Sequence, residues 1–498
     1  MKKILTIILD GLGMREDIYG NAVKNAGMNN FINIWNNYPH CLLKSSGTNV
    51  GLSDNEAGFS ELNHKIIGAG RDVKNRHQII EEAINRKALS RNPHLNEIVD
   101  YLNTTGKNIH LIFLVSQDRM SSDVKHLQYI ITFLESRNIS NIYIDLVADG
   151  QNSDKYFFSK IIPLIENKNK YAKISSICGL YYAFDKDKNY TKTETYYKLL
   201  VNGHGVATPD IAKIINLCYK KGLTDDFLPP IKTNEFVPLQ QKDVVFFLNY
   251  SRDNQAQILE SLADKDFEKF KITKLFLKIY SFFEISNKVK IRPLFEDPVI
   301  NNTICEYIDQ LGLNQAKIAE SLKEDSLFYY FDGEKNISLT NCDNYLIPSP
   351  VVDHFEKKPE LNALAVAKAI IKCMENDYDF IIANFANPDV LGHTGNYQAT
   401  INGLQAVDVC LGKIIEVAKD NFYKVVIIGS HGNADTIIDR ENNIITKNTL
   451  SPVPFVILDK KIKLKNGNLK SFAPTILQYM DIALPKEMRE TESLFAND

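Results

Sequence analysis

The sequence predicts an α/β protein of two domains, the first built from both ends of the chain and the second inserted between them. Three apolar runs pass directly into polar residues, and they are Ile4 to Leu9, Phe380 to Ala383 and Val425 to Ile428. Continuous apolar runs of this length are typical of strands buried on both faces of a parallel sheet. Ligands of such sheets bind beyond the carboxyl ends of the strands. The polar residues after these runs are therefore expected to form one site, although the runs lie at opposite ends of the chain.

The middle of the chain has apolar runs of its own, each again followed by polar residues. They are Asn108 to Ser116, Ile142 to Val147 and Asp243 to Leu248, and the segment from Ile211 to Lys221 has a helical pattern. We expect residues 76–297 to form the inserted domain, and residues 1–75 with 298–498 to form the other.

Length, composition and charge restrict the classes of function. A chain of 498 residues is long enough for two domains, because single cores stop growing near roughly 250–300 residues. Apolar residues make up 44% and charged residues 24%, which is ordinary for a folded soluble protein. The formal net charge of −3 argues against nucleic acid or an anionic membrane as a partner, since both need clustered lysine and arginine. A small phosphorylated molecule needs only a local basic pocket.

The cysteines and the N-terminus indicate a cytoplasmic protein. Seven cysteines are scattered without CxxC spacing, a pattern typical of reduced thiols. The apolar run after Lys2 and Lys3 is too short for a signal peptide and lacks a small-residue cleavage site. Nor does any stretch approach the roughly 20 apolar residues of a membrane span.

The segment from Val50 to Arg71, VGLSDNEAGFSELNHKIIGAGR, places Ser60 in a glycine-rich turn after a short apolar run. Such a turn can present a hydroxyl for chemistry, although a lone serine there can equally be a turn or capping residue. Other motifs occur along the chain, and they are DGLG at Asp10, NFANPDVLGHTG at Asn384, SHGNAD at Ser430 and PVPF at Pro452. Over essentially its whole length, the chain resembles the cofactor-independent phosphoglycerate mutases of the alkaline phosphatase superfamily.

The resemblance implies a fold and a reaction. The domain formed by both chain ends would be an alkaline-phosphatase-like metal domain, and the inserted one an α/β transferase domain. Two divalent metals, Mn²⁺ or Mg²⁺, would activate Ser60, which would accept the phosphoryl group of phosphoglycerate and return it to the other hydroxyl. The chemistry suits a serine, because a metal lowers the pKa of a hydroxyl and polarises phosphoryl oxygens.

The metal ligands implied by the resemblance are Asp10, Ser60 and His431 for one metal, and Asp389 and His393 for the other. Each set lacks one family ligand, because Ser430 replaces an aspartate and Asn448 replaces a histidine. Replacing a carboxylate by a hydroxyl removes a negative charge, so weaker metal binding is expected. Asp435, Asp408 or a water could compensate.

The substrate contacts implied by the resemblance are Lys323, Lys186, Arg252, Asp149 and Asn152. Other family positions that hold arginine carry Leu180, Ser251 and Asn254 here. Because guanidinium groups bind carboxylate and phosphate through paired hydrogen bonds, we expect weak binding of phosphoglycerate. The substrate is expected to be another small phosphorylated, or phosphonylated, metabolite.

Three functions remain open from the sequence. The chain could be a phosphotransferase with a changed substrate, a weak phosphoglycerate mutase, or a non-catalytic relative with a binding or regulatory role. His64 has no implied role and is expected to be a packed or hydrogen-bonded residue. A monomer is the expected state.

Overall fold

The structure of the chain, a computed structural model, describes residues 1–151, 153–166, 169–186, 188–286 and 288–496. The chain divides into two compact units, Met1–Val73 with Val299–Asp498 and Lys74–Pro298. The insertion predicted from the sequence spans 76–297. The metal-binding and transferase roles assigned to the two domains stay predictions.

The strands are β1 (Ile4–Leu9), β2 (His40–Lys44), β3 (Ile109–Val115), β4 (Ile142–Ala148), β5 (Lys173–Gly179), β6 (Val206–Thr208), β7 (Ile231–Thr233), β8 (Val244–Phe247), β9 (Lys278–Ser281), β10 (Arg292–Pro293), β11 (Gln315–Glu320), β12 (Cys342–Ile347), β13 (Phe380–Phe385), β14 (Lys424–Gly429), β15 (Val453–Ile457) and β16 (Gly467–Asn468). The helices are α1 (Ala22–Asn25), α2 (Asn29–Asn37), α3 (Ser60–Ala69), α4 (Arg76–Asn85), α5 (Pro93–Thr105), α6 (Val124–Ser136), α7 (Phe158–Glu166), α8 (Leu180–Ala183), α9 (Tyr190–Asn202), α10 (Ile211–Lys220), α11 (Asp253–Ala263), α12 (Ile304–Gln310), α13 (Ala363–Glu375), α14 (Asn387–Gly392), α15 (Tyr397–Asp420) and α16 (Phe472–Tyr479).

The first unit is organised around β1, a central strand of its sheet. Within the described residues the strand order is β12-β11-β13-β1-β14-β15-β2-β16. β1 pairs in parallel with β13 and β14, which aligns Leu9 with both Phe385 and Gly429. The carboxyl ends of these three strands therefore meet at one edge of the sheet, as the sequence predicted.

Both faces of β1 are buried, which explains why its sequence is apolar throughout instead of alternating. Ile4 and Ile8 face one hydrophobic core, whereas Leu5 and Ile7 face a second core on the other side of the sheet. The predicted strands at Phe380 and Val425 are confirmed as β13 and β14, each slightly longer than its apolar run.

The second unit contains its own sheet, with the order β10-β9-β8-β3-β4-β5-β7-β6 among the described residues. β3 pairs in parallel with β4 and β8, so the three apolar runs predicted as strands lie side by side. The helices α4, α5, α6 and α10 of this unit begin with side-chain caps. Asn75 and Gln78 form a capping box at α4, and the Asp123 carboxylate accepts the Lys125 backbone N–H at α6. Among the described residues, none of the helices combines the length and apolar character that a membrane crossing requires.

Truncating a central side chain of β1 should destabilise the first unit. Ile7 is fully buried, so Ile7→Ala is expected to lower the free energy of unfolding by about 2–5 kcal/mol, through lost burial and a cavity. Urea unfolding followed by far-UV circular dichroism measures the change. The matched control is Ile32→Ala on α2, whose side chain is 45% exposed and should change the midpoint little. Equal midpoint shifts for the two variants would contradict the assignment of Ile7 to the core.

Candidate active site

Ser60 is the first residue of α3, directly after the apolar N-cap residue Phe59. The positive end of a helix dipole and its first N–H groups favour an anion at this position. The Ser60 hydroxyl donates to Asp10 Oδ2 at 2.7 Å and lies 3.3 Å from the Ser326 hydroxyl. Lys323 Nζ donates to Ser60 Oγ at 3.2 Å. A partly accessible hydroxyl therefore sits between a carboxylate and an ammonium group.

Lys323 bridges two buried carboxylates. Its Nζ atom lies 2.7 Å from Asp10 Oδ2 and 2.5 Å from Asp389 Oδ2. Burial alone would raise the pKa of both carboxyl groups, but Lys323 together with His431 outweighs it and holds each pKa well below the usual range. Likewise, burial would lower the pKa of Lys323, and the two carboxylates raise it instead. All three groups are therefore charged.

Asp389, His393 and His431 bring three possible metal-ligand atoms together, within 4.8 Å of one another. Asp389 lies on α14 and His393 follows directly after that helix, so their four-residue spacing puts both on the same helical face. Asp389 Oδ1 lies 2.9 Å from His431 Nε2 and 3.2 Å from His393 Nε2. Burial lowers the pKa of His431, but Asp389 and Asp10 outweigh it and raise that pKa to about 9.

The residues of this trio fit one divalent cation. A carboxylate and two imidazoles are a donor set that Mn²⁺ and other divalent cations accept. The Thr446 carbonyl lies 2.7 Å from His393 Nδ1, where it can accept the proton of that nitrogen. This hydrogen bond turns His393 Nε2 toward Asp389, where its lone pair can bind a cation. A metal-binding histidine usually has such a partner on its other nitrogen.

The two replaced positions lie in different surroundings. The Ser430 hydroxyl donates to Asp10 Oδ1 and lies 2.8 Å from His431 Nδ1, inside the charged cluster. Asn448 instead holds the turn before Ser60, because its Nδ2 donates to the Gly58 carbonyl at 3.0 Å. Around Asp10 the donors are its carboxylate, the hydroxyls of Ser60 and Ser430, and His431 Nδ1, which lies 3.3 Å from Asp10 Oδ1. This set lacks the second carboxylate that the family supplies, so it offers a cation less negative charge.

The two acidic residues considered as substitutes have other partners. The Asp435 carboxylate accepts hydrogen bonds from the hydroxyls of Thr449 and Ser451, the latter at 2.7 Å. Asp408 caps α2 by accepting the backbone N–H groups of Asn30 and Phe31. Asp435 therefore braces a loop and Asp408 caps a helix.

Two residues fix the backbone around the Ser60 hydroxyl and Asp10. His64 Nδ1 lies 2.7 Å from the Ser60 carbonyl and its Nε2 lies 3.0 Å from Asn384 Nδ2, while burial lowers its pKa. His64 is thus a neutral hydrogen-bonded residue, as the sequence predicted. Gly11 has φ +79°, and a Cβ atom there would lie 2.6 Å from the Asp389 Cα. Glycine is therefore required for the close approach of these two segments.

Comparisons with known proteins show the family and the fold of the chain. A model of the metalloenzyme superfamily matches residues 2–484. The chain is 35% identical over 497 residues to the 2,3-bisphosphoglycerate-independent phosphoglycerate mutase of Bacteroides thetaiotaomicron, covering 98% of each chain. It is also 35% identical over 500 residues to the mutase of that name from Clostridium acetobutylicum, again covering 98% of each chain. The chain belongs to the cofactor-independent phosphoglycerate mutase family. A crystal structure of Leishmania mexicana phosphoglycerate mutase, 23% identical, shares the fold with a TM-score of 0.81, covering 100% of this chain and 98% of the other.

Two of the predicted substrate contacts of this mutase-family chain, Asp149 and Lys186, lie in the second unit and differ in burial. Asp149 is buried and accepts hydrogen bonds from the Ser116 hydroxyl at 2.5 Å and the Gln151 N–H at 2.9 Å. Lys186 is exposed. Asn152 lies outside the described residues. Their roles as substrate contacts stay predictions.

The cationic groups predicted to bind substrate are separated between the units. Arg252, in the second unit, pairs with Asp297 and donates to the Glu284 carbonyl at 3.1 Å. Leu180, at a position where the mutase family has arginine, is buried. Lys323 lies in the first unit, beside Ser60, between carboxylates that the sequence assigned to metals.

The Ser326 hydroxyl is the group near Ser60 that the sequence did not indicate. It lies on the π-helical turn Ser326–Tyr330, which follows Lys323 closely in the chain. A lone serine three residues after Lys323 belongs to none of the motifs that carry the resemblance. The proximity to Ser60 results from packing, so it had no signal in the sequence.

The charged cluster predicts a pH dependence of stability in metal-free protein. The pKa of His431 is raised in the folded state from its ordinary value of 6.5 to about 9. The stabilisation is therefore complete below pH 6.5 and is lost as the pH rises toward 9. Urea midpoints measured in chelator at both pH values should fall less in His431→Gln than in the unaltered chain.

The matched control for this measurement is His40→Gln, because His40 is exposed on β2. That variant should keep the pH dependence of the unaltered chain. An unchanged pH dependence in His431→Gln would contradict a protonated His431 in the cluster.

Proposed function

We propose that this chain is a metal-dependent phosphotransferase of the mutase type, in which Ser60 accepts a phosphoryl group from a small phosphorylated metabolite and returns it. One observation carries the proposal. The Ser60 hydroxyl lies at the start of α3, within hydrogen-bond distance of Asp10 and Lys323. The relatives named as phosphoglycerate mutases, 35% identical over 98% of the chain, support the same reaction type.

The proposed metal is one divalent cation, Mn²⁺ or Mg²⁺, held by Asp389, His393 and His431. When bound, such a cation polarises phosphoryl oxygens and lowers the pKa of a neighbouring hydroxyl. A second cation at Asp10, with Ser60 as a ligand, is expected to bind more weakly, since Ser430 supplies a hydroxyl where the family has a carboxylate.

The protein groups around Ser60 have distinct roles in the proposed transfer. Asp10 Oδ2 accepts a hydrogen bond from the Ser60 hydroxyl at 2.7 Å, which orients the serine oxygen. Lys323 Nζ, 3.2 Å from the same oxygen, stabilises negative charge on it and on the incoming phosphoryl group. The Ser60 Oγ–P bond forms as the P–O bond of the donor breaks, and the serine proton ends on the hydroxyl released from the donor.

The proposed substrate differs from phosphoglycerate in its anionic groups. Leu180 is buried and Ser251 and Asn254 are neutral, so three positions that hold guanidinium groups in the family carry no charge here. Arg252 is already paired with Asp297. A substrate with both carboxylate and phosphate would leave a charge without a partner, which is costly when buried.

A phosphorylated serine is the most direct test. The metal-loaded protein is incubated with a panel of phosphate esters and phosphonate esters. Intact mass spectrometry is expected to detect one added phosphoryl group, or one phosphonyl group where the donor is a phosphonate ester. Ser60→Ala should abolish the adduct because the accepting oxygen is removed. Ser46→Ala, at a half-buried serine earlier in the same loop, should retain it. An adduct that persists in Ser60→Ala, or that forms without metal, would contradict the proposal.

Turnover of phosphoglycerate separates the altered substrate from the ordinary one. In an enolase-coupled assay, we expect conversion of 3-phosphoglycerate to be at least ~100-fold slower than that of the best substrate of the panel, equivalent to about 2.7 kcal/mol of lost binding. Conversion of phosphoglycerate at the rate of that best substrate would contradict the altered pocket. A metal-loaded protein that gives no adduct with any compound would favour the binding or regulatory role instead.

The proposed setting is a cytoplasmic monomer that acts on a small metabolite without nucleic acid or membrane. All seven cysteines of the chain are free thiols, which fits a reducing compartment. The formal net charge of −3 supports the absence of polyanionic partners.

A further inference from the structure

Four metal-ligating side chains meet in the second unit, on two of its helices. His77 and Glu81 are one turn apart on α4, while Asp123 caps α6 and His126 lies in its first turn. Each of the four offers one ligand atom, and these atoms all lie within 4.8 Å of one another. The cluster is separate in the chain from the residues of the candidate active site, which belong to the first unit.

The four side chains already contact one another in pairs between the helices. His77 Nε2 lies 3.0 Å from Asp123 Oδ2, and His126 Nε2 lies 3.1 Å from Glu81 Oε1. The two imidazole ring centres are 4.9 Å apart. The exposed fraction of the side chains falls from 34% for Glu81 to 0% for His126, so the cluster extends from the surface into the unit.

Neighbouring groups orient the ligand atoms toward a common point. Asp123 Oδ1 accepts the Lys125 backbone N–H at 2.8 Å, which leaves Oδ2 facing His77. The Tyr250 hydroxyl is hydrogen-bonded to His126 Nδ1, so His126 Nε2 faces the cluster. A ligating histidine usually has such a partner on its second nitrogen. Arg119 Nε lies 4.0 Å from Asp123 Oδ2, so its positive charge would repel a metal ion bound at this cluster.

We propose that His77, Glu81, Asp123 and His126 bind one divalent transition-metal ion, best matched by Zn²⁺. Two carboxylates balance the charge of the cation, and two imidazoles with two carboxylates form a tetrahedral N₂O₂ set that zinc accepts. Tetrahedral bonds of about 2.1 Å separate ligand atoms by roughly 3.4 Å, so small side-chain movements close the site. With four protein ligands the site is structural, and it ties α4 to α6.

The test counts zinc in the full chain after the candidate active site has been disabled. In the background Asp389→Asn with His393→Gln, chelator-stripped protein is dialysed against Zn²⁺ and its metal content is measured by plasma mass spectrometry. One equivalent is expected. Adding His77→Gln and Glu81→Gln should remove it and should also remove the rise in melting temperature that zinc produces. No bound zinc in the background variant, or an unchanged content after the added changes, would overturn the proposal.

The matched control is the pair His94→Gln and Glu97→Gln on α5, another histidine–glutamate pair, with 3.5 Å between His94 Nδ1 and Glu97 Oε2. This control should keep the full equivalent of zinc, and its loss there would overturn the assignment to α4 and α6. Far-UV circular dichroism checks folding, and Glu81→Gln alone, at the most exposed ligand, replaces the double change if folding fails.

A second readout probes the orientation of His126. Tyr250→Phe removes the partner of His126 Nδ1 and is expected to weaken zinc binding about 10–100-fold. An unchanged dissociation constant would overturn His126 as a ligand. This site is independent of phosphoryl transfer, because serine phosphorylation and zinc content are measured separately.

Discussion

The buried charge balance at the carboxyl ends of β1, β13 and β14 is the constraint on which the candidate site depends. Asp10 and Asp389 are both buried, and Lys323 and His431 are the cations that neutralise them. Removing one partner of such a buried pair typically lowers the free energy of unfolding by about 3–5 kcal/mol, because the remaining charge is buried without a partner or water. A metal at Asp389 must displace the proton of His431, so metal binding and protonation are coupled at this site.

The same balance explains why Ser60 is placed at the end of a helix. Phosphorylation of Ser60 would add a charge of about −1.5 to −2 at the start of α3, and Lys323 and the helix dipole would offset this charge. Some positions that hold arginine in the family carry less positive charge in this chain. Arg252 is paired with Asp297, and Leu180 is apolar. The proposed phosphoryl acceptor therefore keeps its charged neighbours, whereas positions proposed to contact the substrate have lost charge.

Much of the fold could be predicted from local patterns. Strands buried on both faces are apolar at every position, so β1, β13 and β14 were visible in the sequence, and their parallel pairing places Asp10 and His431 at one edge. The sequence could not predict which groups the side chains at the two replaced metal positions would contact. Ser430 lies inside the charged cluster, whereas Asn448 supports the turn at Gly58, and both had the same status as replaced ligands in the sequence.

The sequence by itself indicated the family, through motifs in a familiar order, and the central strands, through their continuous apolar runs. The role of Ser60 as phosphoryl acceptor stays a proposal. Only the tertiary structure decided which charges touch. It placed Lys323 between Asp10 and Asp389, and it assembled a four-ligand cluster from α4 and α6. Side chains far apart in the chain meet at distances of a few ångströms only after helices and strands pack, and hydrogen bonds and ion pairs depend on those distances.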